Sequence, residues 1–412
     1  MTTHEIKTLL EKNPNDAGLW YLLGEEMKVK YTGNTIKEFG EKIKCYEKAV
    51  KLDPFMNDAL YALAIAHEQR GDNVSPKRYL KKLKQLGDTR KSLDDDIQRI
   101  ERKIEEQRLR DIQNMEKRLT EKPDDPETIK QAGSLFRMYG EKEKGLTLLE
   151  YAVELKPDVT DGYYFLGIAY KVDKQYEKAI ECFNKCLEIE EAAEDNEIIH
   201  KLYEFISECY QKLEDFDKAI EYQQKCIDCY PSEFDKQYPY YILGFLYNRK
   251  GDYRKAIELY NKAIEEKPDS DFISTIYNYL CDEYYQLNEL EKSLECLQKA
   301  VSLKPDYDEA FYKIGVINSM LGDDELAEVG YNMALKANMF HIQSYNNLGR
   351  IYYERNESNK SIEYYLKAIE IDPEFALPYK NLAILYRKLQ DYEKEIYYMS
   401  EYFKRDKGEE EL

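Results

Sequence analysis

The sequence has little glycine and proline for its length, with 18 glycines and 12 prolines among 412 residues. Because an all-β chain needs frequent turn residues, this scarcity argues against an all-β fold. Histidine is scarcer still, and none of the four histidines stands in a metal-ligand spacing. Walker, G-x-S-x-G and dinucleotide-binding motifs are also absent from the sequence. We therefore expect a helical, non-catalytic protein with neither a cofactor nor a metal site.

Long apolar runs and an excess of positive charge are missing as well. No stretch approaches the ~18 apolar residues of a membrane helix, and the first residues show no signal-peptide pattern. The net charge of −20 opposes nucleic-acid binding, because a protein that binds phosphates must supply Lys and Arg. The eight cysteines form no evident disulfide framework. We therefore expect a cytoplasmic protein that binds neither membranes nor nucleic acid.

The stretch from Tyr240 to Pro268 shows a pattern that returns along most of the chain. Its two halves each place small and aromatic residues on one stripe of a helix. These residues are Tyr240, Leu243, Gly244, Tyr247, Ala256, Tyr260 and Ala263. Gly251 and Asp252 separate the halves as a turn signal, and Pro268 ends the second. The pattern predicts two antiparallel helices whose backbones approach closely at the small residues.

This pattern resembles the tetratricopeptide repeat, in which an aromatic residue, L-G-x-x-Y, A-x-x-x-F and P follow one another. The resemblance implies an all-α fold, an α-solenoid of antiparallel helix pairs wound into a superhelix. In the family that this sequence resembles, the first helix of each pair lines the concave side. The resemblance therefore implies a protein or peptide partner in a concave groove.

The residue at the close-approach position returns at a near-constant interval. Eight residues occupy that position: Gly133, Gly167, Ser207, Gly244, Cys281, Gly315, Gly349 and Ala383. They are spaced by 34 residues, except for successive intervals of 40, 37 and 37 in the middle. Prolines are predicted to close second helices at Pro157, Pro231, Pro268, Pro305 and Pro373. Two units that lack this proline, ending at Glu191 and Met339, are predicted to continue as a longer helix or a looser turn.

The N-terminal part follows the pattern less closely. Residues 1–87 are predicted to be a divergent block of repeats, with an inserted loop near residues 30–40. Residues 88–122 are nearly all charged and predict one helix of ~50 Å, a degenerate repeat that connects the two blocks. A solvated spacer and a strand of a coiled-coil dimer remain alternatives for this helix. Residues 123–406 are predicted to be the main array, and 407–412 an acidic tail.

Candidate groove residues are the first-helix positions left over once the core stripe has been assigned. They are Tyr164, Tyr241, Phe245, Asn278, Tyr285, Tyr312, Asn346, Asn347, Arg350, Tyr353, Lys380, Asn381 and Arg387. Aromatic and Arg side chains on a concave surface are typical anchors for a peptide. Asn347 and Asn381 share one repeat position and are predicted to clamp a peptide backbone beside a basic patch. Solvated charges and a composition rich in tyrosine are the alternative explanation.

These patterns predict an interaction scaffold that binds a peptide or helix of a partner protein in its groove. A peptide-sensing regulator is one alternative. Another is a structural protein that forms a homo-oligomer through its C-terminal end, where Tyr397, Tyr398 and Phe403 are predicted to face outward. Cys226 and Cys229 form a CxxC without a second CxxC. Cys186 and Cys226 occupy a small-residue position and are predicted to be buried as small hydrophobes.

Overall fold

The computed structural model describes residues 1–27, 35–70, 72, 74–193, 198–231, 234–267 and 272–406. These residues form 22 α-helices and no β-strand, which confirms the prediction of an all-α solenoid. The chain divides into two compact units, Met1–Pro157 and Asp158–Leu412, here called unit 1 and unit 2. None of the helices in the described ranges is both long and apolar enough to span a bilayer.

Unit 1 combines three helix pairs with two helices that have no pair. Its helices are α1 (Thr3–Lys12), α2 (Ala17–Glu26), α3 (Thr35–Leu52), α4 (Asn57–Arg70), α5 (Val74–Gln85), α6 (Leu93–Glu121), α7 (Pro126–Met138) and α8 (Lys142–Leu155). The pairs are α2–α3, α4–α5 and α7–α8. α3 begins at Thr35, so the second half of the loop predicted near residues 30–40 is helical. Residues 28–34 of that predicted loop lie outside the described residues.

The repeat pattern does not predict α1, yet local signals explain this helix. The Thr2 hydroxyl accepts a hydrogen bond from the Glu5 backbone N–H, and the Glu5 carboxylate accepts one from the Thr2 backbone N–H at 2.7 Å. This reciprocal capping satisfies two backbone donors that the first turn leaves without helical partners. Ile6 and Leu10 are buried against Leu23 of α2. α1 therefore adds a helix in front of the first pair.

α6 is one continuous helix of 29 residues, about 43 Å long. It begins at Leu93, five residues after residue 88, where the predicted connecting helix starts. Near its start, Leu93, Ile97 and Ile100 pack in one cluster with Leu60, Leu80 and Leu83 of α4 and α5. Near its end, Met115 packs with Ala132 and Phe136 of α7. The chain itself thus covers both ends of the apolar stripe, so that α6 packs as part of the array. The predicted boundaries at residues 87 and 122 stay a prediction.

Unit 2 consists of seven successive helix pairs. Its helices are α9 (Thr160–Val172), α10 (Tyr176–Ala193), α11 (Ile199–Lys212), α12 (Phe216–Asp228), α13 (Gln237–Arg249), α14 (Tyr253–Glu266), α15 (Ile273–Gln286), α16 (Leu290–Leu303), α17 (Asp308–Met320), α18 (Asp324–Ala337), α19 (Ile342–Glu354), α20 (Ser358–Ile371), α21 (Leu377–Lys388) and α22 (Tyr392–Arg405). α10 is extended to 18 residues, as predicted, whereas α18 ends at Ala337 and is followed by a turn. Pro231, Pro305 and Pro373 follow the ends of α12, α16 and α20, as predicted, and Pro268 lies outside the described residues.

The close-approach positions lie where the two helices of a pair meet. A Cβ atom added at four of the glycines would come within 2.8 Å of an aromatic ring on the second helix. The pairs are Gly167 with Phe183, Gly244 with Tyr260, Gly315 with Tyr331 and Gly349 with Tyr365. Where Ser207 replaces glycine, its hydroxyl donates a hydrogen bond of 2.8 Å to the Ala219 carbonyl across the pair. The predicted close packing at this position is confirmed.

The turn between the two helices of a pair lies at the same distance from the close-approach residue in each of these repeats. The residue seven positions after each close-approach residue has a positive φ, between 58° and 88°. These residues are Gly140, Lys174, Glu214, Gly251, Asn288, Gly322, Asn356 and Gln390. Glycine and asparagine tolerate this left-handed conformation, whereas Lys, Glu and Gln adopt it at a cost. Packing of the two helices therefore imposes the turn even where the residue does not favour it.

The last helix, α22, contacts α21 through only part of its aromatic surface. Tyr397 and Phe403 are 57% and 66% exposed, as predicted for an outward face. The prediction for Tyr398 is wrong, because its ring stacks on Tyr386 of α21, with centroids 5.5 Å apart. Tyr398 lies 34 residues after Tyr364, whose ring stacks on Tyr352 in the same way in the preceding pair. The predicted tail at 407–412 lies outside the described residues.

Candidate functional site

The first helices of unit 2 lie side by side and form one surface, here called the first-helix face, made by α9, α11, α13, α15, α17, α19 and α21. Side-chain hydrogen bonds and ion pairs link α9 to α11, and they link α13, α15, α17, α19 and α21 in series. They join Lys171 to Glu208 (2.6 Å), Asn248 to Glu283 (2.7 Å), Lys313 to Asp282 (2.7 and 2.8 Å), Arg350 to Ser319 (2.7 Å) and Asn381 to Asn346 (2.9 Å). The candidate residues on α13, α15, α17, α19 and α21 therefore lie on helices that side-chain contacts join in series.

Tyr241 lies at the centre of an aromatic cluster on α13. Its ring centroid is 4.9 Å from that of Phe272, 5.3 Å from that of Tyr279 and 5.9 Å from that of Tyr260. Burial, with a hydrogen bond to Tyr279, raises the pKa of its hydroxyl above the usual range. Tyr241 is half-buried and holds α13, α14 and α15 together. It contributes packing to the site, and its exposed edge is what a ligand can reach.

The other predicted aromatic residues differ in how far they reach solvent. Tyr285 is 38% exposed, and Phe245 is half-buried. Tyr164 packs against Phe165 and Phe205, with centroids 5.6 and 5.9 Å apart. Tyr353 is half-buried, with the ammonium of Lys388 4.5 Å above its ring. Tyr285 is thus the most accessible apolar anchor among them.

Asn278 lies deeper than a groove residue is expected to lie, at 9% exposure. Its side-chain carbonyl oxygen has no hydrogen-bond partner among the described residues. Two further buried atoms share this property among the described residues of α14 and α15, the Tyr260 hydroxyl and the Oε2 atom of Glu283. Glu283 and the Tyr241 hydroxyl both act electrostatically on the pKa of Tyr260, so Tyr260, Tyr241 and Glu283 lie in one neighbourhood. Buried polar atoms without partners are uncommon, and each calls for a partner such as an ordered water or a ligand.

Glu283 is fully buried between α13 and α15, where its Oε1 atom accepts a hydrogen bond from Asn248. Burial raises the pKa of this carboxyl to about 7. The sequence interpretation missed Glu283, although a signal exists two residues after each close-approach position. The other seven residues there are apolar: Leu135, Ala169, Cys209, Leu246, Ile317, Ile351 and Leu385. A charged residue in an otherwise apolar repeat position is therefore the feature to look for.

The asparagines on α19 and α21 form a different pair from the predicted one. Asn381 donates its amide to the Asn346 carbonyl oxygen at 2.9 Å, while Asn346 is 7% exposed. Asn347 instead accepts a hydrogen bond of 3.4 Å from the Asn346 amide and lies near the hydroxyl groups of Tyr312 and Tyr331. Tyr312 also packs on His341, with ring centroids 4.8 Å apart. Asn346 and Asn381 are thus engaged with each other, and a clamp by Asn347 and Asn381 stays a prediction.

The basic residues at the end of this face are mostly paired within the chain. Arg350 donates to the Ser319 hydroxyl and lies 3.2 Å from the Glu354 carboxylate. Arg387 pairs with Glu395 at 2.6 Å. Lys380 is exposed, and its ammonium is 5.6 Å from the centroid of the Tyr402 ring. Lys380 is therefore the cation of this patch that is most available to an incoming acidic group.

The cysteines behave as buried small residues. Cys186 and Cys226 are fully buried, as predicted, and burial raises the pKa of the Cys226 thiol to about 12. A thiol with such a pKa remains protonated and is a poor nucleophile. All eight cysteines are free, and Cys229 is the exposed one. Within the described ranges, no three His, Cys, Asp or Glu residues are grouped so that they could hold a metal ion.

Comparison with known families and structures agrees with this geometry. Five models, described as tetratricopeptide repeat or TPR repeat, match residues 43–75, 158–232, 238–270, 282–322, 342–375 and 364–397. No curated protein matches the sequence closely enough to count as a relative.

Several solved structures are similar to parts of the chain. The C-terminal part of a TPR repeat-containing protein from Cytophaga hutchinsonii is 16% identical, with a TM-score of 0.52, and the match covers 61% of this chain and 98% of that one. A crystal structure of MamA is 26% identical with a TM-score of 0.37, covering 40% of this chain and 94% of that one. YrrB, described as a TPR protein with an unusual peptide-binding site, is 22% identical with a TM-score of 0.39, covering 48% and 96%.

The repeat models together span more than half of the chain, in both units. They match the helix pairs in which a small residue of the first helix lies against the second helix. The match to the Cytophaga structure supports the same fold. The chain belongs to the tetratricopeptide repeat family.

Proposed function

We propose that the protein is a non-catalytic interaction scaffold whose first-helix face binds a peptide segment or a helix of a partner protein. Stacked repeats of helix pairs present extended surfaces that bind other proteins. The part of the face between α13 and α17 offers what a peptide requires. It combines half-buried aromatic rings, which exclude water, with polar atoms that can fix the direction of a backbone.

The observation that carries the proposal is the unpaired side-chain carbonyl oxygen of Asn278. A buried acceptor without a donor costs about 1–3 kcal/mol, so its persistence favours a ligand that supplies the donor. The backbone N–H of an extended peptide is such a donor. Tyr285, one helical turn beyond Asp282 on the same helix, is exposed enough to pack against the peptide's side chains. We therefore place the core of the binding site at Asn278 and Tyr285 on α15.

Selection of random peptides displayed on phage against the full chain tests this proposal. Selected peptides are then measured by calorimetry against the wild type, Asn278→Ala and Tyr285→Ala. We expect each variant to bind at least about tenfold more weakly, a loss of ~1.4 kcal/mol. Val329→Ala is the matched control, because Val329 is 57% exposed on the second helix α18. Its affinity should equal that of the wild type.

The proposal fails if no peptide is selected, or if the selected peptides bind the Asn278 and Tyr285 variants as tightly as the wild type. Circular dichroism of each variant checks that the helices are intact, so that weaker binding reports on the site. Loss of binding in Val329→Ala alone would move the site to the second helices. Each result thus supports or rejects the assignment of the first-helix face.

A further inference from the structure

α22 carries an apolar face that no described residue of the chain covers. No residue of this helix is buried. Tyr392, Ile396 and Phe403 are 62%, 70% and 66% exposed. Soluble proteins seldom leave a contiguous row of large apolar side chains in water, and such rows mark interaction surfaces. The exposed apolar side chains therefore indicate that another helix or protein packs against α22.

The preceding second helix shows what kind of element fits this face. In α20, Ile362, Tyr365 and Ile369 pack with Leu382 and Tyr386 of α21. The equivalent positions of α22, 34 residues later, are Ile396, Met399 and Phe403. One repeat earlier, this surface is thus covered by a helix. The exposed face of α22 has the same apolar pattern and is suited to receive a helix as well.

The spacing of the exposed residues also favours a helical occupant. Tyr392, Ile396, Met399 and Phe403 are separated by four, three and four residues. This is the spacing of the apolar seam in a coiled coil, where two helices pack along their lengths. Glu395, Ile396, Met399, Ser400, Phe403 and Lys404 line a shallow groove beside the seam. A second helix that follows the seam would bury it along three turns.

The charges beside the seam indicate that the second helix is α22 of another copy. Glu393 and Lys404 are 11 residues apart, which is three turns and places them on the same flank of the helix. Glu393 is exposed and has no ion-pair partner among the described residues. Lys404 is 64% exposed and pairs with Glu401 of its own helix. Such an exposed pair contributes little and exchanges partners easily.

We propose that two copies of this chain associate through α22, with the two helices antiparallel about a two-fold axis. In this arrangement residues on the same flank face each other, so Glu393 of each copy meets Lys404 of the other. A parallel arrangement would instead bring the two acidic first turns together and the two basic last turns together. The antiparallel contact is self-complementary, as a two-fold interface must be.

The contact is small, which determines its strength. α22 has 14 residues and is about 21 Å long. Interfaces that bury less than about 1,200 Å² in total are typical of weak, transient association. The dimer is therefore reversible and depends on protein concentration. It leaves the first-helix face of each copy on other helices, so that peptide binding and dimer formation are separable.

Sedimentation velocity of the full chain over a wide range of concentration tests the association. The wild type should shift from monomer toward dimer as its concentration rises. Ile396→Glu and Phe403→Glu place a charge in the seam and should remain monomeric throughout the range. Val329→Glu is the control, because Val329 is 57% exposed on α18, away from the seam. It should dimerise like the wild type.

Charge reversal tests the antiparallel geometry. Glu393→Lys and Lys404→Glu each bring like charges together twice in the dimer, and each should weaken association at least about tenfold. In an equimolar mixture of these two variants, one copy carries a lysine at both positions and the other a glutamate at both, so that opposite charges meet at each contact. The mixture should recover dimer formation, as should a chain carrying both substitutions. In a parallel seam like charges already meet at both contacts of the wild type, so neither single reversal would weaken association there.

A wild type that remains monomeric at all concentrations overturns the proposal. Dimers that persist in Ile396→Glu and Phe403→Glu overturn it as well, because the interface then lies elsewhere. If both charge reversals weaken the dimer but their mixture does not restore it, the antiparallel assignment is wrong. Thermal unfolding of each variant, followed by circular dichroism, verifies that the monomers are folded.

Discussion

Helices α15 and α19 of the first-helix face carry asparagine at the same repeat position, but only one of the two side-chain carbonyl oxygens has a hydrogen-bond partner among the described residues. We call the part around α15 the unpaired stretch and the part around α19 and α21 the paired stretch. Asn278 and Asn346 both stand three residues before a close-approach residue. The Asn346 carbonyl oxygen accepts from Asn381 of the next repeat, whereas that of Asn278 has no partner in the described chain. Lys313, at the position equivalent to Asn381, turns to Asp282 instead. The neighbouring repeat, and not the position itself, therefore decides whether a buried amide is satisfied.

The largest change in the free energy of unfolding is expected from Glu283, a buried carboxyl on α15 in the unpaired stretch. Burial raises its pKa from the usual 4.5 to about 7. The folded protein therefore binds more protons than the unfolded chain between these pH values, and the free energy of unfolding falls as pH rises through this window. Glu283→Leu removes this dependence and should be more stable than the wild type at pH 8 by about 3 kcal/mol.

Urea unfolding followed by circular dichroism at several pH values measures this effect, and the difference should shrink toward pH 5. Glu283→Gln is the matched control, because it keeps an acceptor for Asn248 and cannot titrate. Burial also raises the pKa of Asp282, which is present in every variant, so its contribution cancels in the difference. If the free energy of unfolding of the wild type does not change between pH 4.5 and 7, burial does not raise the pKa of Glu283.

The next largest effect concerns the packing that both stretches share. Gly349→Ala places a Cβ atom 2.5 Å from the ring of Tyr365, which is almost completely buried and cannot move away. We expect a loss of about 2 kcal/mol in the free energy of unfolding. Gly40→Ala is the control, because no atom of the described residues lies within 4 Å of its added Cβ in α3. It should gain up to ~1 kcal/mol from helix propensity. Equal melting curves for the two variants would contradict the close approach.

The two equivalent asparagines provide the most direct test of the comparison. Asn346→Ala removes the bond from Asn381 and should lower the free energy of unfolding by about 1 kcal/mol. Asn278→Ala removes a buried carbonyl oxygen that has no partner in the described chain, so its stability should equal or exceed that of the wild type. Chemical denaturation of both variants measures the difference. If Asn278→Ala is the more destabilised variant, the assignment of paired and unpaired stretches is wrong.

The smallest effect is expected at the basic end of the paired stretch. Arg350→Met loses its bonds to Ser319 and Glu354, but Arg350 is 43% exposed. Exposed pairs contribute little, and the free energy of unfolding should change by less than about 0.5 kcal/mol. The measurement is thermal unfolding at low and high salt. A large loss that persists at high salt would indicate that Arg350 has a structural role.

The repeat register could be predicted because it depends on residue size. Gly244 and Gly349 are identified by their interval, and only a small residue fits against the rings of Tyr260 and Tyr365. The turns were only partly predictable. Gly251 signals its turn, whereas Lys174 and Gln390 adopt the same left-handed conformation without a sequence signal. There the packed helices compensate for the local cost, which no property of a single residue reveals.

The candidate site was predicted less completely. The amphipathic pattern predicts that Tyr285, Lys380 and Asn278 lie on the stripe beside the core stripe of their helices, because a stripe follows from helical periodicity. It does not reveal that Asn346 bonds to Asn381, since that contact joins residues 35 positions apart. It also missed the burial of Glu283, because a charged residue is ordinarily assigned to the surface. Side-chain pairing between repeats depends on which of several nearby partners each group reaches.

The amino-acid sequence was sufficient to specify helix pairs, their period and the small residues at their contacts. These features arise from local periodicity and from steric limits that act on each repeat alone. The folded arrangement was needed to establish that α6 packs within unit 1, that Glu283 is buried and that α22 exposes its seam. These features depend on which helix lies next to which, and burial and hydrogen bonding are set by neighbours that are distant in the chain.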